Sequence, residues 1–215
     1  MKLVAWLSVT LSSFDPAPAP VDPSKPPVVI VHGIDGSALD MTRLARALRA
    51  TGREVFTPSL TPNDGSAPLE DLSAQLACYI DSQLSDRTID LIGYSMGGVV
   101  TRHYLQCREG HHRVRRYISL SAPQNGTLTA HFRSKPGALQ MRPGSDFLTT
   151  LNEDTSALQK VPTTSFWAPT DLIILPPSSA RLPSAKNITK SGLGHFSFIM
   201  EKRRIQDVVT ALEAP

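Results

Sequence analysis

The stretch that most constrains this chain is TIDLIGYSMGGVVTRHYL, Thr88 to Leu105. It opens as an apolar strand over Thr88–Tyr94 and closes as a helix that runs on to Arg108. Between them, Gly93-Tyr94-Ser95-Met96-Gly97 matches G-x-S-x-G, and Gly98 follows. A serine hydroxyl at such a joint can attack only if it stands clear of the sheet. That requires a sharp, strained strand-to-helix turn, where flanking side chains would collide with neighbouring elements. The same turn aims the first N–H groups and the positive dipole end of the helix at Ser95. A glycine-rich turn without chemistry is the plain alternative. The strand before the motif and the helix after it are the context the chemistry requires.

The rest of the pattern supplies a sheet for that turn to stand on. VVIVHG, Val28–Gly33, is a continuous apolar run rich in β-branched residues, as a fully buried parallel strand should be. Leu39, Leu44 and Leu48 recur at helical spacing, and Gly52 ends that helix. EVFTP is a short strand. Pro68–Leu84 is a helix with Leu69, Leu72, Leu76, Ile80 and Leu84 on one side. Val114–Pro123, Thr163–Ala168 and Lys186–Lys190 read as further strands, Asp146–Leu151 as a short helix, and Phe196–Glu213 as one closing helix. Strands alternating with helices imply right-handed crossovers and a mostly parallel sheet of about six strands, covered on both faces. The expected organisation is a segment over residues 1–27, apolar and then proline-rich, followed by one α/β catalytic domain over residues 28–215. Chemistry in such a sheet collects beyond the carboxyl ends of the strands.

A serine needs a base, and the base needs an orienting acid. Of the six histidines, His103 lies inside the helix after Ser95, His111 and His112 at its far end, and His131 in a polar loop. His32 precedes a glycine on the first strand and is better suited to support its loop. His195, in SGLGHFSFIM, is left as the base. In the chain order Ser…Asp…His, the acid should end a strand between the two. Asp171, in SFWAPTDLIILP, does so; Asp146, Glu153 and Asp154 follow no strand, and Asp207 comes after the histidine. The expected triad is therefore Ser95, Asp171 and His195. The oxyanion calls for two backbone donors: the Met96 N–H, next to the nucleophile, and the Ile34 N–H in HGIDG, where glycines let the backbone approach substrate. Gly33, Asp35, Tyr94 and Pro123, beside these groups, are expected to contact substrate.

These motifs give the chain a family resemblance. VIVHGIDG, DLIGYSMGG, SLSAPQNGT, QMRPGSDFLTTLN, WAPTDLIILP and GLGH together resemble the α/β-hydrolase superfamily. More closely, the chain is similar to the small bacterial lipases and esterases of lipase class 2, over about Val28 to the C-terminus. The resemblance implies an α/β-hydrolase fold without a large cap domain. It also implies hydrolysis of carboxylic esters through an acyl-enzyme, without an organic cofactor. Related enzymes often carry Pro-His-x-Gly-Thr where this chain has Pro123-Gln124-Asn125-Gly126-Thr127. The larger ones can bind calcium, but no acidic cluster here suggests a metal site. A thioesterase or acyltransferase would use the same residues on another leaving group or acceptor. A binding module that kept only the fold would be expected to have lost part of the triad.

Charge and cysteine content narrow the partners. A net charge of +3, with no Lys/Arg stripe interleaved with aromatics, argues against nucleic acid. The densest basic cluster, HHRVRR at His111–Arg116, reads as a solvated loop entering a strand. A small-molecule or lipid ester is the expected partner; oligomeric state is left open. No run reaches the roughly 18 apolar residues of a membrane span. Lys2 and apolar Leu3–Leu11 begin like a signal peptide, but the nearest small-x-small triplet, Ala17-Pro18-Ala19, precedes an obstructing Pro20. A soluble, cytoplasmic protein is slightly favoured over an exported one. Cys78 and Cys107 each sit about ten to twelve residues into adjacent helices, at similar heights, so a disulfide between them is one expectation. Finally, Gln124–Gly144 is the only insertion long enough to make a lid. Its scattered apolar residues, two prolines and cationic residues predict a loop or one short helix, an open cleft and a preference for short-to-medium acyl chains.

Overall fold

A computed structural model describes residues 17–214 of the chain. Leu3–Leu11, weighed above as a leader, lies outside the described residues. The elements in chain order are β1 (Val28–Val31), a 3-10 turn (Ala38–Met41), α1 (Thr42–Arg49), β2 (Val55–Phe56), α2 (Leu69–Leu84), β3 (Ile89–Tyr94), α3 (Met96–Cys107) and β4 (Val114–Leu120). After 3-10 turns at Gly110–His112, before β4, and Leu128–Phe132, after it, come α4 (Pro136–Gln140), α5 (Asp146–Glu153), α6 (Ser156–Gln159), β5 (Thr163–Trp167), β6 (Lys186–Thr189), α7 (Ser197–Met200) and α8 (Lys202–Glu213). The six strands form one sheet in the order β2-β1-β3-β4-β5-β6, and every pairing is parallel.

The strands face protein on both sides, and their pleat splits each one between two cores. Val29, Val31, Leu91 and Tyr117 pack with α2 and α3. Val28, Ile30, Ile92 and Ile118 pack with α1, α7 and α8. This is why these strands read as unbroken apolar runs rather than as alternation. Residues 17–27 are hooked back onto the sheet edge: Ala19 N–H donates to Arg49 O (3.2 Å) and Asp22 N–H to Gly52 O (2.8 Å).

The end of the sheet away from Ser95 is pinned by buried charge. Asp90, fully buried near the start of β3, accepts from Arg53 Nη1 at 2.8 Å and from Arg115 Nε and Nη2 at 2.9 and 2.5 Å. Arg53 also donates to Glu213 at 2.6 Å, tying in α8. One carboxylate thus joins β3, β4 and the turn before β2.

Two expectations are corrected. Cys78 and Cys107 are free and exposed, so the expected disulfide is not formed. The helical phase explains the difference. The buried face of α2 is Leu69, Leu72, Ser73, Leu76, Ile80 and Leu84. Cys78 is two residues from both Leu76 and Ile80, about 200° round the helix from each. Cys107 ends α3, past its buried run Met96–Leu105. The closing helix is also two helices, not one. Glu201 takes an extended conformation (φ −84°, ψ 122°) between α7 and α8, and its carboxylate accepts the Leu193 N–H instead. No helix among the described residues is long and apolar enough to cross a membrane.

Candidate active site

Ser95 stands on the turn between β3 and α3 with φ 53° and ψ −127°, a conformation that costs a side-chain-bearing residue strain and is held only by its surroundings. The surroundings are the neighbouring glycines. A Cβ on Gly97 would overlap the carbonyls of Val31 and His32, one on Gly98 would overlap Ala122 Cβ, and one on Gly93 would overlap Thr101 Oγ1. The three glycines around one serine are therefore a packing requirement: they let α3 start directly against β1 and the end of β4.

His195 and Asp171 arrive at this turn from the far half of the sheet. Asp171 follows β5, and His195 lies in a 3-10 turn, Gly194–Phe196, after β6. Ser95 Oγ is 2.9 Å from His195 Nε2, and His195 Nδ1 is 2.8 Å from Asp171 Oδ2. A carboxylate can only accept, so Nδ1 carries the proton and Nε2 is left to accept from the serine hydroxyl. The other oxygen of Asp171 accepts from the Ile173 and Ile174 N–H groups, both at 2.8 Å. The carboxylate is thus fixed by its own loop, and that loop is fastened to the histidine loop by Thr170 Oγ1 donating to Gly192 O (3.2 Å). All three groups are buried, at 5% exposure for Ser95, 2% for Asp171 and 6% for His195, so the pair and the hydroxyl interact with little screening by water. The Tyr94 ring lies 5.2 Å from the His195 ring; burial, then the nearby Asp171 and Asp40 charges, push its phenol well above the usual range, so it is a neutral wall.

The HGIDG loop after β1 faces the serine. A Cβ on Gly33 would lie 2.9 Å from Ser95 Cβ. His32 holds the loop from beneath: its Nδ1–H donates to Gly33 O (2.8 Å) and its Nε2 accepts from Leu60 N–H (3.0 Å). With both nitrogens used and 1% exposure, His32 supports the loop as its position suggested. Asp35 N–H donates to Asn63 O (2.9 Å) and Asn63 Nδ2 to Gly36 O, which closes the turn. Ile34 lines the cavity here, and Met96 is the first residue of α3, where an amide has no acceptor within the helix.

A cavity of about 820 Å³ opens over Ser95 and His195. Gly33, Ile34, Asp35, Tyr94 and Pro123 all line it. Sequence reasoning missed its apolar wall: Leu172, Ile173, Ile174, Leu193, Phe196, Ile199 and Met200. For Leu172, Ile173, Ile174 and Leu193 the available signal was apolar residues in loops beyond strand ends; Phe196, Ile199 and Met200 were hidden in the expected closing helix. It also missed Gln124. This fully buried side chain donates to Gly98 O, Tyr117 Oη and Ser119 Oγ at 3.2, 3.3 and 3.0 Å. Arg102, also fully buried, holds the same turn through Gln124 O (3.1 Å) and reaches Leu151 O and Asn152 Oδ1 at 2.7 and 2.8 Å. Its burial lowers its pKa to about 10, which leaves it a cation at neutral pH, solvated by carbonyls. The remaining histidines are elsewhere: His103 stacks on Phe147 (5.5 Å), His111 and His112 follow α3, and His131 is exposed.

Known proteins agree with this architecture. In structure, the chain superposes on the mature Bacillus licheniformis lipase BlEst2 with a TM-score of 0.75, covering 92% of this chain and 96% of that one at 23% identity. Aspergillus fumigatus lipase B gives a TM-score of 0.74, 20% identity and 92% and 55% coverage. At these identities the likeness is one of fold. In sequence, the human lysosomal thioesterase PPT2 is 32% identical over 115 residues, 51% of this chain and 38% of that protein. The sn-1-specific diacylglycerol lipase ABHD11 of Xenopus laevis is 42% identical over 79 residues, 34% of this chain and 25% of that protein. The chain spans less than half the length of the curated relatives it matches. Residues 27–172, which include Ser95 and Asp171, match the palmitoyl protein thioesterase family. That match covers well over half of the chain, which therefore belongs to the palmitoyl protein thioesterase family and has the α/β-hydrolase fold.

Proposed function

We propose that the protein hydrolyses acyl esters through Ser95, His195 and Asp171, with the Ile34 and Met96 amides as oxyanion donors. The observation that carries this reading is the chain of contacts from Ser95 Oγ to His195 Nε2 (2.9 Å) and from His195 Nδ1 to Asp171 (2.8 Å). His195 takes the serine proton as Ser95 Oγ attacks the acyl carbonyl. Asp171 keeps the imidazole in the tautomer that accepts at Nε2 and stabilises the imidazolium that forms. The two amides stabilise the tetrahedral oxyanion. His195 then protonates the leaving group, and a water deprotonated by the same imidazole releases the acid from the acyl-enzyme.

The leaving group is the open variable, and a long-chain acyl thioester is the second reading. It is favoured by the family match and by the relative named a lysosomal thioesterase. A cavity of about 820 Å³ lies in the upper part of the 300–1,000 Å³ usual for small-molecule sites, so acyl chains well beyond acetyl have room. The test is one set of assays on one preparation: p-nitrophenyl esters from acetyl to palmitoyl, matched acyl thioesters, and an alcohol acceptor, for wild type and Ser95→Ala. Hydrolysis of either class should fall by orders of magnitude in Ser95→Ala. A folded Ser95→Ala protein that keeps most of its activity overturns the assignment. Product esters formed in preference to free acid would make the protein an acyltransferase.

A further inference from the structure

The described residues expose few large apolar side chains away from one place. Leu172, Ile173, Leu193, Phe196 and Met200 are exposed and line the cavity over Ser95. Leu39 and Phe132, at 82% and 89% exposure, stand next in sequence to the lining residues Asp40 and Arg133. Such a concentration of apolar tips is not the scattered exposure of an ordinary surface; contiguous patches of this kind mark a binding surface.

We propose that this collar is a docking surface for a zwitterionic lipid surface, on which the protein sits with its cavity mouth against the lipid. Two features choose that occupant. The first is place: the collar surrounds the mouth of the cavity. A protein seated on it would cover the mouth, whereas a lipid surface would present acyl groups to it. The second is charge. The cations beside Phe132 are already paired, Arg133 with Asp35 and Lys135 with Asp64. The two cations next to Phe132 are thus not free to draw in an anionic leaflet, so this part of the collar is better matched by a headgroup of zero net charge. The tips stand on loops, short 3-10 turns and the end of the one-turn helix α7, a form suited to shallow insertion at the headgroup boundary, to a depth of roughly 5–10 Å. The proposal deepens the acyl-ester reading, on which it depends only for what the lipid supplies.

The experiment is flotation of the full chain with phosphatidylcholine vesicles, with and without phosphatidylserine. It is read at about 0.1 and about 1 M NaCl, where the screening length falls from ~10 to ~3 Å. The wild type should float with pure phosphatidylcholine, and neither salt nor phosphatidylserine should change its partition much. A Leu39→Asn/Phe132→Asn double variant, altered at two exposed positions outside the cavity lining, should partition about tenfold or more weakly. Its thermal unfolding and its turnover of a water-soluble short ester should stay at wild-type values. The proposal is overturned if the wild type does not float, if it floats only with phosphatidylserine and is released by salt, or if the double variant floats as well as wild type. It is equally overturned if the wild type sediments as a dimer that the double variant dissociates, since the collar would then serve a second copy. Ser95→Ala separates this proposal from the reading beneath it: it should float like wild type while hydrolysing nothing. Wild-type activity in Ser95→Ala would sink the catalytic reading and leave the docking result standing.

Discussion

Gly33 and Ser95 touch across the gap between two loops: a Cβ on Gly33 would lie 2.9 Å from Ser95 Cβ, nearer than packed carbons approach. Gly33→Ala therefore has to push either the elbow or the HGIDG loop. The elbow is locked by Gly97 against the His32 carbonyl, so the loop is the part that gives, and the Ile34 amide moves with it. A displacement approaching 1 Å in such a site costs on the order of 10²-fold. The expected outcome is a loss of that order in kcat/KM, with thermal unfolding shifted by far less than a core cavity would shift it. Kinetics on a short ester beside a circular-dichroism melt checks both. A variant with wild-type kcat/KM would show that the loop's position is unimportant.

Asp171→Asn tests what the carboxylate does. Its Oδ1 accepts two backbone amides that an asparagine oxygen can still accept, so the loop should keep its shape. The Oδ2 position then becomes an NH₂ facing His195 Nδ1, which favours the tautomer with its proton on Nε2. That proton blocks the acceptor Ser95 needs, and kcat should drop by about 10⁴ with little change in stability. If activity fell only a few-fold, another group would be orienting His195.

The sheet was legible in the sequence, and so was the meeting of Ser95, His195 and Asp171 within hydrogen-bond reach. Buried parallel strands announce themselves as apolar runs such as VVIVHG, and the nucleophile turn needs glycines whose spacing is written in the chain. His195 follows from setting aside the other five histidines, and Asp171 from the chain order Ser…Asp…His and its place after a strand. What was not legible depends on neighbours that the sequence does not name. Cys78 and Cys107 matched in height along their helices but not in rotation about them. Nothing in the run FSFIMEKRRIQD marks the break at Glu201, whose carboxylate is taken by a backbone amide eight residues earlier. Gln124 reads as a substitution in a motif, yet its amide bridges α3 to β4 only because Gly98 and Ser119 are brought together by the fold. Leu172, Ile173, Ile174 and Leu193 of the cavity wall lie in loops, where periodicity carries no information.

Asp90→Ala should separate stability from chemistry. The carboxylate is fully buried, and its removal leaves Arg53, itself 4% exposed, with the 34%-exposed Glu213 as its remaining carboxylate. Breaking a buried ion pair from one side typically costs about 3–5 kcal/mol, because the remaining charge stays buried. Asp90 lies near the start of β3, at the far end of the strand from Ser95. The expected outcome is an unfolding free energy lowered by up to that amount, measured in urea, with kcat per folded molecule unchanged below the transition. A large loss of kcat in the folded protein would mean that the pinned end of the sheet is coupled to the site.

The insertion between β4 and β5 decides how the cavity meets an insoluble substrate. The segment Gln124–Gly144 forms only a five-residue 3-10 turn, Leu128–Phe132, and the five-residue α4. Leu128 and Phe132 are exposed, so neither closes over Ser95 as a flap would. Ion pairs to Asp35 and Asp64 hold the segment in this place, and exposed pairs of that kind contribute little, so they hold little strain for a substrate surface to release. Opening a lid is what produces a step in rate when substrate passes its solubility limit. Without one, tributyrin should be hydrolysed steadily while still dissolved, and the rate should rise smoothly through saturation as adsorption brings the open cavity to the droplets. Chain preference in an acetyl-to-palmitoyl panel should then follow how much of each chain the cavity buries, at ~0.8 kcal/mol per CH₂ covered. The measurement is initial rate against tributyrin concentration across the limit. A several-fold step at the emulsion boundary, with little turnover below it, would mean that this segment does move as a lid and that the open cavity is one of two states.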